Sequence, residues 1–262
     1  MPVAAPMTAP ARVLALHAAT RDRHDFAGLV AALPAFTVET VDILGHGGAP
    51  RRPYYTIDLM VEAVDLGADR PILYGHSLGG LVALAAAARS PERIRALVLE
   101  DAPLFEAMMP RLAESPFYRG FQGLKSVMTG RAKDYALSDW EREVAGWPSG
   151  HHGRTMLEAF GPDGVAMRAR QLFAFDHHVL DGLLDGSLTR GYDAIANLRA
   201  ASLPVAYIAG AREHGSAIAP DDVARLAAEP NVTVHRVAEE GHFIHEVLAA
   251  RCADIVKGVV DL

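Results

Sequence analysis

Ser77 stands in Gly75-His76-Ser77-Leu78-Gly79-Gly80, a G-x-S-x-G arrangement with Pro71-Ile72-Leu73-Tyr74 before it and an apolar run from Leu81 to Ala88 behind. Small residues on either side let a strand pass into a helix through a strained backbone position, which holds the hydroxyl out at the strand's carboxyl end. The chemistry this suits is nucleophilic attack. A serine hydroxyl is a poor nucleophile near neutral pH, so it needs a base to take its proton and pass it to the leaving group. The base in turn needs an acid to hold its tautomer, and the negatively charged intermediate needs preorganised N–H donors. A plain turn serine would need none of this, but it would leave the apolar run in front and the helix-forming run behind as a coincidence.

These requirements narrow the chain to few residues. His242 follows the last apolar segment through Ala238-Glu239-Glu240-Gly241, and a loop histidine beside glycine has the freedom to swing over Ser77. His245, one turn further on, reads as a packing or surface residue. An apolar Ala-Leu-Val-Leu segment delivers Glu100 and Asp101 to the same edge as Ser77. Glu100 precedes Asp101 and is expected on the opposite side of its strand. Leu78, first on the helix after Ser77, offers one N–H to the oxyanion. The paired histidines His151-His152 and His177-His178 invite a metal reading, but successive helical residues point about 100° apart, so no metal site and no cofactor is expected.

The elements that must position these groups follow from apolar periodicity. Arg12 to Leu16 reads as a buried strand leading into His17-Ala18-Ala19-Thr20, and Phe26, Leu29, Val30 and Leu33 mark a helical stripe closed by Pro34. Further strands are expected at Phe36 to Val41, before Ser77, and at Arg95 to Glu100, Pro204 to Ala209 and Val232 to Val237. Helices are expected around Ile57 to Val64, Tyr192 to Ala200, Asp221 to Ala228 and after His242. The alternation predicts an α/β protein, a doubly wound and mainly parallel sheet of about six strands, with catalytic residues converging at the carboxyl edge. From Ala102 to about Arg190 the alternation gives way to short amphipathic pieces broken by Pro110, Pro116, Gly130, Pro148, Gly161 and Pro162. Residues 103–190 are therefore expected to form a helical cap over that edge, with 1–102 and 191–262 as the core. Trp140, Trp147, Phe173 and Phe175 are expected in the cap's core, some lining an apolar pocket.

Composition excludes several other classes. The chain has 262 residues, is half apolar and carries a formal net charge of −7. That acidity, with arginines scattered among acids, leaves no basic patch for nucleic acid, and no stretch reaches the roughly 20 apolar residues of a membrane span. Met1 to Pro10, Ala- and Pro-rich without a basic start, reads as a short flexible lead-in rather than a secretory signal. A lone Cys252 excludes an intramolecular disulfide, so a reducing, cytoplasmic setting is expected.

The order of the His17 loop, Asp42-x-x-Gly45-x-Gly47, the Ser77 elbow and Gly241-His242-Phe243 resembles the α/β-hydrolase superfamily over nearly the whole chain outside the insertion. Two departures are visible: little room for the usual amino-terminal antiparallel hairpin, and Ala18 where glycine usually follows the first histidine. The resemblance implies Ser77 as nucleophile and His242 as its base. It puts the acid either at Glu213, in Gly210-Ala211-Arg212-Glu213 where the family usually has G-x-x-D, or at Asp101, where some members including lactonases place it; Asp101 is preferred. It implies Ala19 as the second oxyanion donor beside Leu78, and gives Asp42, Gly45 and Gly47 a structural turn. The expected activity is hydrolysis of an ester or lactone of a small, largely apolar molecule through an acyl-enzyme. Carbon–carbon bond hydrolysis of ring-cleavage products, or ligand binding by a receptor on the same fold, are the alternatives.

Overall fold

A computed structural model describes residues 11–260, so the lead-in at Met1 to Pro10 lies outside the described residues. Six strands, β1 (Arg12–Leu16), β2 (Thr37–Val41), β3 (Ile72–His76), β4 (Ala96–Glu100), β5 (Val205–Ala209) and β6 (Val232–Arg236), form one sheet in the order β2-β1-β3-β4-β5-β6. Every neighbouring pair is parallel. Parallel neighbours need crossovers, and the helices between them cover both faces.

The period of two along a strand divides the core. On β1, Leu14 and Leu16 join one buried cluster, while Val13 and Ala15 join the other. The first cluster packs α2 (Ile57–Ala63) and α3 (Leu78–Arg89) against the sheet. The second takes α1 (Ala27–Ala32), through Leu29, and the carboxyl-terminal helix Ala249–Val260, through Cys252, Ala253 and Val256. Val30 departs from the expected stripe: α1 is short, and this side chain is 41% exposed.

Between β4 and the helix Ala194–Ala201 the chain forms helices at Arg111–Glu114, Pro116–Thr129, Leu137–Ala145, Met156–Ala174 and His178–Asp185. The breaks have local causes. Ser115 caps the second helix by accepting from Tyr118 N, and Thr155 with Glu158 makes a reciprocal capping box at the fourth. Gly161, at φ 64°, and Pro162 kink that fourth helix. This segment has its own apolar cluster around Trp140, Val144, Met156, Val165 and Leu172, with Trp147 against it. Phe175 instead joins the main core, and Phe173, expected inside, is 53% exposed.

Candidate active site

Ser77 lies between β3 and α3 with φ 53° and ψ −116°, a conformation that costs a side-chain-bearing residue energy. The residues two positions to either side must be glycine. A Cβ on Gly79 would fall 2.0 Å from Leu16 O and one on Gly75 2.5 Å from Gly79 O, so helix and strand approach too closely for any side chain. Five described non-glycine residues have positive φ, and Thr20, Ser77 and Asp101 are three of them. The strain is gathered where three loops meet.

Asp101, the first residue after β4, is fully buried, and its Oδ2 lies 2.7 Å from His242 Nδ1. Three donors hold the carboxylate: Ser216 Oγ at 2.6 Å, Ala217 N at 2.6 Å and Gly210 N at 3.3 Å. An acceptor-only carboxylate facing Nδ1 places a proton there and leaves Nε2 free to act as the base. Glu213 takes no part in this. It is exposed in the 3₁₀ turn Arg212–His214, and no hydrogen bond or ion pair links it to His242. The β5 loop thus serves the acid through Ser216 and Ala217, and the G-x-x-E spacing that suggested Glu213 leads into solvent.

Glu100 points the other way, as alternation requires. It accepts from Tyr74 Oη, from His245 N at 2.9 Å and from His245 Nδ1 at 2.8 Å. His245 is therefore not a surface residue; it is 1% exposed, with Asp25 3.5 Å from its other ring nitrogen. Burial opposes its charge, but Glu100 and Asp25 outweigh burial and raise its pKa to about 10. Between the two acid–histidine pairs sits His76, whose ring centroid is 4.8 Å from that of His242 and 4.9 Å from that of His245. Its Nε2–H donates to His242 O at 2.8 Å, which fixes the histidine loop beside the elbow.

The loop after β1 is set by two neutral histidines. His17 Nε2 accepts from Ile43 N at 3.0 Å, and its Nδ1–H donates to Ala18 O. His46 Nε2 accepts from Thr20 N at 3.1 Å while its Nδ1–H donates to Leu44 O. Burial holds both rings below their ordinary pKa, His46 at about 3. The Ala18 carbonyl is occupied by His17 Nδ1 and by Arg21 N, and Ala19, with Leu78, lines the pocket at Ser77. That pocket is small, about 40 Å³, and mostly apolar, with Leu81, Leu112, Phe117 and Leu183 in its wall. Phe117 also lies edge-on to His242, ring centroids 4.9 Å apart.

His151 and His152 take carboxylates. His151, 1% exposed, lies 3.0 Å from Glu240 and 3.1 Å from Glu246, and His152 lies 3.2 Å from Glu240. His177 and His178 do not diverge as successive helical residues should: their ring centroids are 4.3 Å apart. Sequence patterns gave no sign of His46, His76, Ser216 or His151 at the site. Each acts through a partner in a distant segment, which no periodicity encodes.

Residues 11–247 match the α/β-hydrolase fold family, and the chain belongs to it. The pimeloyl-[acyl-carrier protein] methyl ester esterase of Neisseria meningitidis is 29% identical over 95% of this chain and 78% of its own length. Lipase LipV of Mycobacterium tuberculosis is 40% identical, over 35% of this chain and 37% of the lipase. A hydrolase from Pseudomonas aeruginosa superposes with a TM-score of 0.72 at 21% identity, covering 96% of this chain and 90% of that one. Among the described residues no helix is long and apolar enough to cross a membrane.

Proposed function

We propose that this α/β-hydrolase enzyme is a serine esterase that cleaves an ester or lactone of a small, largely apolar molecule through an acyl-enzyme, with no metal or other cofactor. The observation that carries the reading is the buried Asp101–His242 pair, 2.7 Å apart, whose histidine loop is tied to the residue preceding the strained Ser77. Ser77 Oγ attacks the carbonyl carbon as His242 takes its proton. The oxyanion receives the N–H groups of Leu78 and Ala19. His242 then protonates the leaving alkoxide, and a water deprotonated by the same ring releases the acid.

The wall of the Ser77 pocket fits a short apolar end of such a molecule, in keeping with a relative named as a methyl ester esterase. Residues 103–190 serve as the cap, since Leu112, Phe117 and Leu183 come from them. A buried, unpaired Cys252 is in keeping with a cytoplasmic setting.

The test is labelling with a fluorophosphonate together with turnover of short-chain aryl esters. The wild-type protein should be labelled and active, and Ser77→Ala should be neither. Labelling that survives in Ser77→Ala, or a wild-type protein that is inert to both reagents, would reject the assignment.

A further inference from the structure

A second chamber, about 480 Å³, adjoins the small pocket; Phe117 and Phe121 line both. Its charge is one-sided. Arg21, Arg168 and Arg212 line it and no carboxylate does, in a chain whose net charge is −7. Two of the three arginines are neutralised from behind. Arg21 lies 3.3 Å from Asp25 and 2.9 Å from Glu246, and Arg212 lies 3.1 Å from Glu106.

Arg168 is different. Its guanidinium donates to Thr20 O, to Thr20 Oγ1 at 2.9 Å and to Gln171 Oε1 at 3.4 Å, all neutral acceptors. Among the described residues no carboxylate forms an ion pair with it. A guanidinium has five N–H donors, so at least two remain for a ligand. Burial, with the like charge of Arg21, draws its pKa down to about 9, outweighing the more distant carboxylates of Asp25, Glu246 and Asp22, which act in the opposite sense. Folding leaves a partly buried cation without a directly paired carboxylate only at a cost, and here that guanidinium lines a chamber beside the nucleophile.

We propose that Arg168 is a specificity-determining residue that binds a carboxylate carried by the substrate. For its reaction the inference rests on the esterase reading: the substrate has a short apolar end, seated in the small pocket, and an acidic end that reaches the second chamber. The planar guanidinium fork suits a carboxylate, and no carboxylate lines the chamber to repel one. A purely architectural role, tying the cap helix to the Thr20 loop, would give no preference between charged and neutral ligands.

Binding is tested in protein that cannot turn the ligand over. Calorimetric titration of Ser77→Ala with the monoethyl ester of hexanedioic acid and with ethyl hexanoate should show the acidic ester bound about tenfold tighter, the scale of one charge-assisted hydrogen bond. Adding Arg168→Gln should abolish the difference, and adding Arg168→Lys should keep part of it. Equal affinity for the two esters in Ser77→Ala, or a preference that persists with Arg168→Gln, would overturn the proposal. Turnover by the wild-type protein reports on the esterase reading separately: neutral aryl esters cleaved without any acidic preference would leave that reading standing and this one refuted.

Discussion

Glu100 and Asp101, adjacent at the end of β4, hold different histidines: Glu100 bonds His245 and Asp101 bonds His242, on opposite sides of the sheet edge. The two pairs share an architecture and differ in access. The His245 pair is buried behind the elbow, and His242 of the other pair lies edge-on to Phe117, which lines the pocket at Ser77. Replacing the first acid should damage the fold; replacing the second should damage the chemistry.

Asp101→Asn is accordingly expected to lower kcat by about 10³- to 10⁴-fold, because the amide fails to hold the imidazole and its cation. Glu213→Gln should change kcat by less than about twofold, the usual scale for an exposed side chain outside the site. Glu100→Gln leaves the His245 cation without its main partner and should cost about 3–5 kcal/mol of stability. Steady-state kinetics with urea denaturation of the three variants separates these outcomes; equal kcat losses in Asp101→Asn and Glu213→Gln would refute the ranking.

Ser216→Ala removes the hydroxyl that donates to Asp101 at 2.6 Å while leaving the Ala217 amide in place. A hydrogen bond to a charged group is worth about 1.5–3 kcal/mol, so a fall in kcat of roughly tenfold or more is expected. Ser216→Thr, which keeps the hydroxyl, should recover most of it. An alanine variant as fast as wild type would show that the backbone donors alone position the acid.

His17, His46 and His76 are buried as neutral rings, with His76 held at about 4 and His46 at about 3. Their folded values lie below the unfolded value near 6.5, so the unfolded chain binds more protons as pH falls. Stability from these groups is complete above pH 6.5 and is lost as pH falls below it, at about 1.4 kcal/mol per unit for a ring between its unfolded and folded values, an interval that ends near pH 4 for His76 and near 3 for His46. Chemical denaturation between pH 7 and 5 should show this loss, reduced in a His46→Asn variant; a flat profile would count against neutral burial.

His151 works in the opposite sense. Burial opposes its charge, but Glu246 and Glu240 raise its pKa, so this tie between the helical segment and the histidine loop is strongest below pH 6.5 and is lost as pH rises through the raised folded value. Hydrogen exchange in residues 149–174 is expected to quicken above neutrality in the wild-type protein. A His151→Gln variant should exchange fast at every pH, and a wild-type rate with no pH response beyond the intrinsic chemistry would contradict the ionic tie.

The core was legible because its signal is local. The run Arg12 to Leu16 was expected as a strand and is one, and all six expected strands appear within a residue or two at each end. The elbow could be read because its glycines are dictated by contacts within the same motif. Less of the site's surroundings could be read. Arg168 meets Thr20 across 148 positions and His151 meets Glu240 across 89, and neither residue carries a pattern that announces its partner. Phe173 and Val30 failed in a simpler way: an aromatic or a β-branched residue at helical spacing says that a helix has an apolar side, not how wide that side is where neighbouring helices end.

The placement of the acid after β4 has a consequence for how the site comes into being. Ser77 and Asp101 belong to one β3–α3–β4 unit, in which the Ser77 amide already donates to Glu100 O at 3.0 Å. His242 arrives from 141 residues away, with the last strand and helix. Local units assemble before distant ones, so Ser77 and Asp101 are expected to reach their places while His242 is still adrift. Recovery of activity during refolding should therefore trail the burial of the β3–α3–β4 unit and keep step with docking of the carboxyl-terminal helix. Stopped-flow turnover beside pulsed hydrogen exchange would time the two events, and catalysis would serve as the signal that these two distant segments have met.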